Sequence, residues 1–178
     1  MRFKNTSIIK TARLSLHSIR DCDRDSLIEL LKNEEIGKTF MVPDFKSKEQ
    51  EDRMFDHLKR LSDSDERFVY GIYLEGKLIG FINDVDITDS SVELGYVIHP
   101  SHSGKGYMTE ALKAAISEIF ESGFKAVKAG AFEGNRASMR VMEKSGMILS
   151  GEEESVEYRG KTHRCICYIK KAEESYDC

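Results

Sequence analysis

Pro100-Ser101-His102-Ser103-Gly104-Lys105-Gly106-Tyr107-Met108-Thr109-Glu110-Ala111 lies between an apolar run ending at His99 and the most regular amphipathic stretch of the chain. Met108, Ala111, Leu112, Ala115 and Ile119 recur at helical spacing, with Glu110, Lys113, Ser117 and Glu121 on other faces. A helix therefore starts here, and Gly123 ends it. Val92 to His99 reads as a strand, closed by Pro100, which has no N–H to donate. A strand, a short glycine pair and then a helix is an arrangement suited to anions. The first N–H groups of a helix lack internal partners, and glycines let a phosphate approach the backbone closely. Gly104, Lys105, Gly106, Tyr107, Met108 and Thr109 would supply those N–H groups; a loop that merely turns into a helix is the other reading. The familiar nucleotide motifs do not fit. Gly160-Lys161-Thr162 and Gly37-Lys38-Thr39 have Ser155 and Lys32 where a Walker loop needs its first Gly, and a dinucleotide fingerprint would need Gly in place of Thr109.

Reading outward from this loop, strands and helices mix. Leu14 to Ser18 alternates as a short strand, and Asp23 to Leu31 is helical with Leu27, Ile28, Leu30 and Leu31 available for burial. Gly37 to Lys46, with Pro43, is loop. Ser47-Lys48-Glu49-Gln50 is a capping-box pattern opening a helix to about Leu61. Phe68 to Leu74, Glu75-Gly76 and Leu78 to Ile87 form a hairpin, and Asp89-Ser90-Ser91 turns into the Val92 strand. Beyond the central helix come a buried strand at Ala126 to Phe132 and a helix at Asn135 to Ser145, stopped by Gly146. Strand signals follow at Met147 to Leu149 and Cys165 to Ile169. The order is β-α-α-β-β-β-α-β-α-β-β, which indicates an α/β or α+β mixed sheet with some antiparallel pairing.

The 178 residues correspond to about one domain and bury roughly 70% of the unfolded surface, enough to fold without a staple. Apolar content of 40% with 33% charged residues excludes global disorder. No run approaches a membrane span, and Met1-Arg2-Phe3-Lys4-Asn5-Thr6 lacks the apolar region of a secretory signal, so a cytoplasmic protein without membrane contact is expected. Net charge −4 argues against direct nucleic-acid binding. Cys22, Cys165, Cys167 and Cys178 are too few and too uneven for a disulfide scaffold, so reduced thiols are expected.

Four ordered motifs resemble the GNAT acyltransferase superfamily: Glu93-Leu94-Gly95-Tyr96-Val97-Ile98-His99-Pro100, then Gly104 to Leu112, then Asn135-Arg136-Ala137-Ser138, then Glu143-Lys144-Ser145-Gly146-Met147. Within it the chain looks like the RimJ/RimL branch, which acetylates N-termini of ribosomal proteins. Thr11-Ala12-Arg13-Leu14-Ser15-Leu16 and the Gly151 turn after Ile148-Leu149 are similar too. The resemblance runs from about Thr11 to Ile169 and so places one acetyltransferase domain over residues 1–178, with its core at about 11–169. It implies a mixed sheet split into a V that binds acetyl-coenzyme A as co-substrate, without a metal. The glycine loop would cradle the pyrophosphate, and Tyr96, Val97 and Ile98 would run along the pantetheine. Asn135 and Ser138 would touch the coenzyme or an ordered water. The acceptor would be a primary amine, either a protein N-terminus or a small molecule. A homodimer is compatible with the resemblance. The sequence departs from the family at Ser101, where Gln or Arg is common, and at Ser103, where this branch often has Trp. It also departs at Met142, where many members carry the Tyr that protonates the leaving thiolate.

An amine must lose a proton before it attacks. Glu93, on the strand leading into the coenzyme site, is the candidate base, directly or through water. Ser138 is the candidate acid or relay, although a thiolate with a pKa near about 8.5 also takes a proton from water. Glu110 reads as structural, favoured by the helix dipole. His163, Cys165 and Cys167 share a strand face, but the outer two stand about 13 Å apart, too far for one zinc. His99 and His102 flank the loop and read as surface residues. Two other readings stay open: a non-catalytic coenzyme A sensor or partner-binding module, and a glycine loop serving another phosphate ligand.

Overall fold

Leu14 and Leu16 are buried while Ser15 and His17 between them are half-covered, so this short strand offers one apolar face that needs a neighbour. The computed structural model describes Phe3 and residues 7–173 and supplies that neighbour within an eight-stranded mixed sheet. The strands are β1 (Ile9–Lys10), β2 (Leu14–His17), β3 (Val69–Leu74), β4 (Lys77–Ile87), β5 (Ser91–Ile98), β6 (Ala126–Phe132), β7 (Ile148–Tyr158) and β8 (Lys161–Lys171). The helices are α1 (Arg24–Lys32), α2 (Glu34–Gly37), α3 (Lys48–Ser62), α4 (Tyr107–Glu121) and α5 (Arg136–Lys144). Across the sheet the order is β1-β2-β3-β4-β5-β6-β8-β7, and every neighbouring pair is antiparallel except β5 with β6. A parallel pair needs a crossover, and α4 provides it.

Helices pack against both faces of the sheet, while β7 at its edge stays largely exposed. One face carries Leu16, Tyr70, Ile82, Val92, Leu94 and Val127 and is closed by the apolar stripe of α4, whose Ala111, Leu112, Ala115 and Ile119 are fully buried. Small Ala side chains at two of these positions let the helix lie close to the strands. Truncating Leu112 to Ala would cost about 2–5 kcal/mol. The other face carries Val69, Tyr73, Phe81 and Val97 and is closed by α1 and α3 through Leu27, Leu30 and Phe55. Asp84, on the same face of β4 as Ile82, is buried. It accepts from the Arg67 guanidinium (2.6 Å) and the Phe68 N–H (2.7 Å), which satisfies its charge.

Several expected boundaries shift. β1 and α2 are additional elements; Asn33 caps α2, its Oδ1 accepting from the N–H groups of Glu35 and Ile36. The Ser47 hydroxyl accepts from the Gln50 N–H, but the Gln50 side chain reaches the N–H of Lys46 (2.7 Å) rather than closing the box on Ser47. The strand expected at Met147 to Leu149 runs to Tyr158, because β8 offers a full ladder to an otherwise polar segment. Gly151, at φ +78°, sits in an irregularity of that strand between Leu149 and Glu153 rather than in a terminal turn. Met1, Arg2, Lys4, Asn5, Thr6 and residues 174–178, with Cys178, lie outside the described residues. Among the described residues no helix is long and apolar enough to cross a membrane.

Candidate active site

The parallel ladder between β5 and β6 pairs Ser91 with Ala126 and stops at Leu94 with Ala129. Both strands continue, β5 to Ile98 and β6 to Phe132, each still paired on its outer side with β4 or β8. The sheet therefore opens into a V. The His99 N–H donates to the Ile79 carbonyl on the β4 side (2.8 Å). N–H directions alternate along a strand, so the N–H groups of Tyr96 and Ile98 face the split. A cleft of about 680 Å³ fills it, reaching Leu94 to Ile98 on one wall, Gly130 and Ala131 on the other, and the N-terminal end of α4.

At that end, Gly104 and Gly106 hold φ of +74° and +80°, a region that costs other residues about 1–2 kcal/mol. Gly106 is the N-cap residue of α4 and brings no capping side chain, so the first-turn N–H groups of Tyr107, Met108 and Thr109 are left without helical partners. Gly104, Gly106, Tyr107, Met108 and Thr109 all line the cleft, together with Tyr96, Val97, Ile98, Asn135 and Ser138. Lys105 does not line it; its ammonium donates to the Ser101 carbonyl (3.0 Å). The loop is braced from outside. Arg13 donates to the Lys105 carbonyl (3.0 Å) and lies over the Tyr107 ring, 4.5 Å from its centroid.

The far wall is the first turn of α5. Asn135 caps this helix, its Oδ1 accepting from the Ser138 N–H (3.1 Å). The Ser138 hydroxyl meets the Tyr96 hydroxyl at 2.8 Å, which joins β5 to α5 across the split. Burial pushes the Tyr96 phenol up to about 12, with the Ser138 contact pulling the other way, so at neutral pH it keeps its proton. Met142 is fully buried in the core under α5.

Glu93 is half-buried on the sheet face opposite Leu94 and is not part of the cleft lining. Burial pushes its carboxyl above the usual range; Glu154 and Asp86 push the same way, against Lys128. Glu110 is an anchor: it accepts from the Thr11 hydroxyl (2.6 Å), the Arg13 N–H (2.8 Å) and the Arg13 Nε (2.7 Å). Burial alone would raise its carboxyl, but these bonds and the Arg13 charge hold it below the usual range. Cys165 and Cys167 are buried, and burial raises Cys165 and takes Cys167 to about 11, so neither is a thiolate at neutral pH. His163 stacks on Phe132 (4.4 Å). His99 accepts from the Ser101 N–H through Nδ1 (3.2 Å), whereas His102 lines the cleft with its Nδ1 buried and without a hydrogen-bond partner among the described residues. Its expected surface role is therefore too simple.

The cleft also includes residues with no motif to announce them. Glu35, Ile36, Thr39 and Phe40 come from α2 and the loop after it. Arg140 and Lys144 stand one turn apart on α5. Their i, i+4 spacing was the one available sign of a shared cationic edge.

Residues 13–148 match the family described as acetyltransferase (GNAT) domain. Two Bacillus subtilis (strain 168) proteins are similar in sequence. "Probable N-acetyltransferase YjcK" is 32% identical over 108 residues, covering 57% of this chain and 59% of that protein. "Uncharacterized N-acetyltransferase YoaA" is 28% identical over 149 residues, covering 81% of this chain and 84% of that protein. The match thus spans less than two thirds of the first relative's length. Among solved structures, RimL, a ribosomal L7/L12 alpha-N-protein acetyltransferase in complex with coenzyme A, is similar with a TM-score of 0.80. It is 20% identical, and the match covers 93% of this chain and 98% of that one, a likeness of fold.

Proposed function

The chain belongs to the GNAT acetyltransferase family, and from that premise we propose that it moves an acetyl group from acetyl-coenzyme A to a primary amine within a ternary complex. The observation that carries this reading is the β5–β6 ladder ending at Leu94 and Ala129 while both strands run on. An unpaired stretch of strand facing a cleft offers hydrogen-bonding groups that pantetheine amides match. The N–H groups of Gly104 to Thr109 take the pyrophosphate at the positive end of α4. Arg140 and Lys144 add positive charge along the coenzyme's path. Asn135 holds the first turn of α5 in place for the coenzyme or an ordered water.

A free N–H of β5, from Tyr96 or Ile98, polarises the thioester carbonyl and stabilises the oxyanion as the amine adds. The amine nitrogen bonds to the carbonyl carbon, the carbon–sulfur bond breaks, and the electron pair leaves on sulfur. The amine's proton passes to Glu93, through water because the carboxylate stands outside the cleft lining. The departing thiolate is reprotonated by Ser138, with the Tyr96 hydroxyl behind it at 2.8 Å, or by water. Holding both reactants in one cleft removes most of the entropic barrier to their encounter.

The finer assignment follows the RimJ/RimL branch: one catalytic domain over residues 1–178 with its core at about 11–169, cytoplasmic, free or homodimeric. Its acceptor is a protein N-terminus or a small amine, and it makes no direct contact with nucleic acid or membrane. Calorimetric titration with acetyl-coenzyme A, followed by free-thiol release with an amine and peptide panel, tests the reading. Saturable binding with amine-dependent thiol release is expected. Binding without release from any acceptor would favour a coenzyme A sensor, and no binding would overturn the proposal.

A further inference from the structure

The segment after α2 packs on one half of the molecule and is gripped by the other. Ile36 and Val42 are buried in the layer of α1 and α3, and Phe40 and Phe45 pack against it, so residues 36–45 ride on the β1–β5 side of the split. The turn that reaches them, Arg159-Gly160, joins β7 to β8 on the far side, where Tyr158 pairs with Lys161. The Arg159 guanidinium donates through Nη1 to the Gly37 carbonyl (3.3 Å) and through Nη2 to the Asp44 carboxylate (3.3 Å). The Tyr158 hydroxyl accepts from the Val42 N–H (3.4 Å). Residues 37–44 are thus tied near both ends across the open sheet.

Both partners are fitted to this tie. Arg159 holds φ +49° and Gly160 +71°, the left-handed pair of a two-residue hairpin, whose first position ordinarily falls to Asn, Asp or Gly. Here it carries a long cation instead, laid over the Tyr158 ring 5.1 Å from its centroid. Opposite it, Gly37 is buried, and the atoms that a Cβ there would crowd are those of the Arg159 guanidinium, 3.0 to 3.3 Å away. Between the tied ends, Thr39 and Phe40 line the cleft. The Phe40 ring comes within 3.5 Å of where a Gly95 Cβ would stand, beside Tyr96. β5 runs on from Gly95 toward the glycine loop, so Phe40 covers the end of the cleft away from the phosphate site.

We propose, on the amine-transfer reading above, that Arg159 is a positioning residue for that reaction. It clamps residues 37–44 across the split, so that Phe40 stays over the reacting end of the cleft, steadies the acceptor and keeps bulk water from the thioester. When the segment is loose, water takes the amine's place. Its oxygen bonds to the carbonyl carbon and the carbon–sulfur bond breaks. Acetate and free thiol are the products, the water's protons passing to sulfur and to solvent. The Arg159–Asp44 pair is exposed and both guanidinium contacts are long, so they order the segment without governing the fold.

The test compares wild type with Arg159→Ala, Arg159→Lys and Gly37→Ala. Acetyl-coenzyme A affinity is read by calorimetry. Thiol release is read with and without propylamine or a tripeptide with a free N-terminus, and acetylated amine is measured by mass spectrometry, so hydrolysis and transfer are counted apart. Arg159→Ala is expected to bind acetyl-coenzyme A within about twofold of wild type and to raise acceptor KM about fivefold or more while kcat falls less. The share of thiol released without acetylated amine is expected to rise in the same variant. Its Tm is expected to move by no more than about 3 °C, so a lost fold cannot account for the change. Arg159→Lys keeps a charge opposite Asp44 without the two-pronged grip and is expected to fall between. Gly37→Ala crowds the guanidinium and is expected to act in the direction of Arg159→Ala with Arg159 itself intact. Unchanged acceptor KM and an unchanged share of hydrolysis in Arg159→Ala would overturn the clamp while leaving acetyl transfer standing. Coenzyme affinity and acceptor KM worsening together with a larger fall in Tm would overturn it as well, leaving Arg159 a purely structural residue. If wild type binds acetyl-coenzyme A but acetylates no acceptor, the clamp and the amine reading fail together. If wild type does not bind acetyl-coenzyme A, the function itself is refuted.

Discussion

Glu93 and Glu110 are carboxylates one strand and one loop apart, and their surroundings drive them in opposite directions. Glu110 receives three hydrogen bonds from Thr11 and Arg13 and is held below the usual range. Its folded value lies under its unfolded one, so its stabilisation is complete above about 4.3 and drains as the pH falls through the folded value. Glu110→Ala should cost about 2 kcal/mol in urea melts at neutral pH, and the gap between variant and wild type should narrow in acid. Equal gaps at both pH values would mean that the bonds contribute nothing. Glu93 runs the other way: burial first, then Glu154 and Asp86, raise it. Its folded form is not penalised below the unfolded value, and stability is lost as the pH rises through the folded one. Glu93→Gln should therefore be more stable than wild type at neutral pH, with the advantage vanishing in acid. The same substitution should slow acetyl transfer by about 10²-fold and abolish an acidic limb of the kcat/KM profile lying above the ordinary carboxylate range. A stable variant of undiminished activity would remove Glu93 from the mechanism.

The α4 N-terminus and its loop form one device. Gly106 at φ +80° turns the chain so that the first-turn N–H groups face the cleft, and Arg13 pins the loop from behind. Gly106→Ala should strain that turn by about 1–2 kcal/mol and weaken acetyl-coenzyme A binding measured by calorimetry. Gly134→Ala, where φ is ordinary and a Cβ would meet nothing within 4 Å, should leave stability within about 0.5 kcal/mol. Equal binding by both variants would deny the loop its role. This device was legible in the sequence because its signals are local: a glycine pair before Met108, Ala111, Leu112 and Ala115 at helical spacing. The apolar periods of β2, α1 and α4 are local in the same way. β7 was not legible beyond Leu149, because Glu152, Glu153 and Glu154 carry no apolar alternation and the segment is a strand only through its ladder to β8. Four-residue α2, ending in Gly37, shows too little period to declare itself, although it brings Glu35 and Ile36 to the cleft. Gly95 and Gly130, 35 positions apart, become neighbours only because the β5–β6 ladder ends on the residue before each, at Leu94 and Ala129.

Across the whole molecule, β1 to β5 and β6 to β8 are two ladders joined edge to edge by the four residue pairs from Ser91–Ala126 to Leu94–Ala129. Beyond that seam the two are joined by the α4 core, by Tyr96, whose hydroxyl meets the Ser138 hydroxyl (2.8 Å) and donates to the Ser138 carbonyl (3.2 Å), and by Arg159, which donates to the Gly37 carbonyl (3.3 Å) and pairs with Asp44 (3.3 Å). A ligand seated in the cleft touches β5, the α4 N-terminus and α5 at once, so it joins the halves where the sheet itself does not. By mass action, acetyl-coenzyme A at about 100 times its Kd should add about 2.7 kcal/mol of stability. For a chain of this size that corresponds to a rise in Tm of roughly 5–10 °C. The gain should be local as well as global: amides of Tyr96 and Ile98, which face the split, should slow in hydrogen exchange far more than those of Tyr70 and Ile72 in the ladder interior. Ser138→Ala removes the hydroxyl-to-hydroxyl half of the Tyr96 tie, leaving the bond to the Ser138 carbonyl and the phosphate loop untouched. It should lower the Tm of the free protein, and saturating coenzyme should still raise the variant's Tm, because the ligand spans β5, the α4 N-terminus and α5 without that hydroxyl. A Tm that rises with coenzyme while Tyr96 and Ile98 exchange unchanged would place the ligand elsewhere and refute the split as its seat.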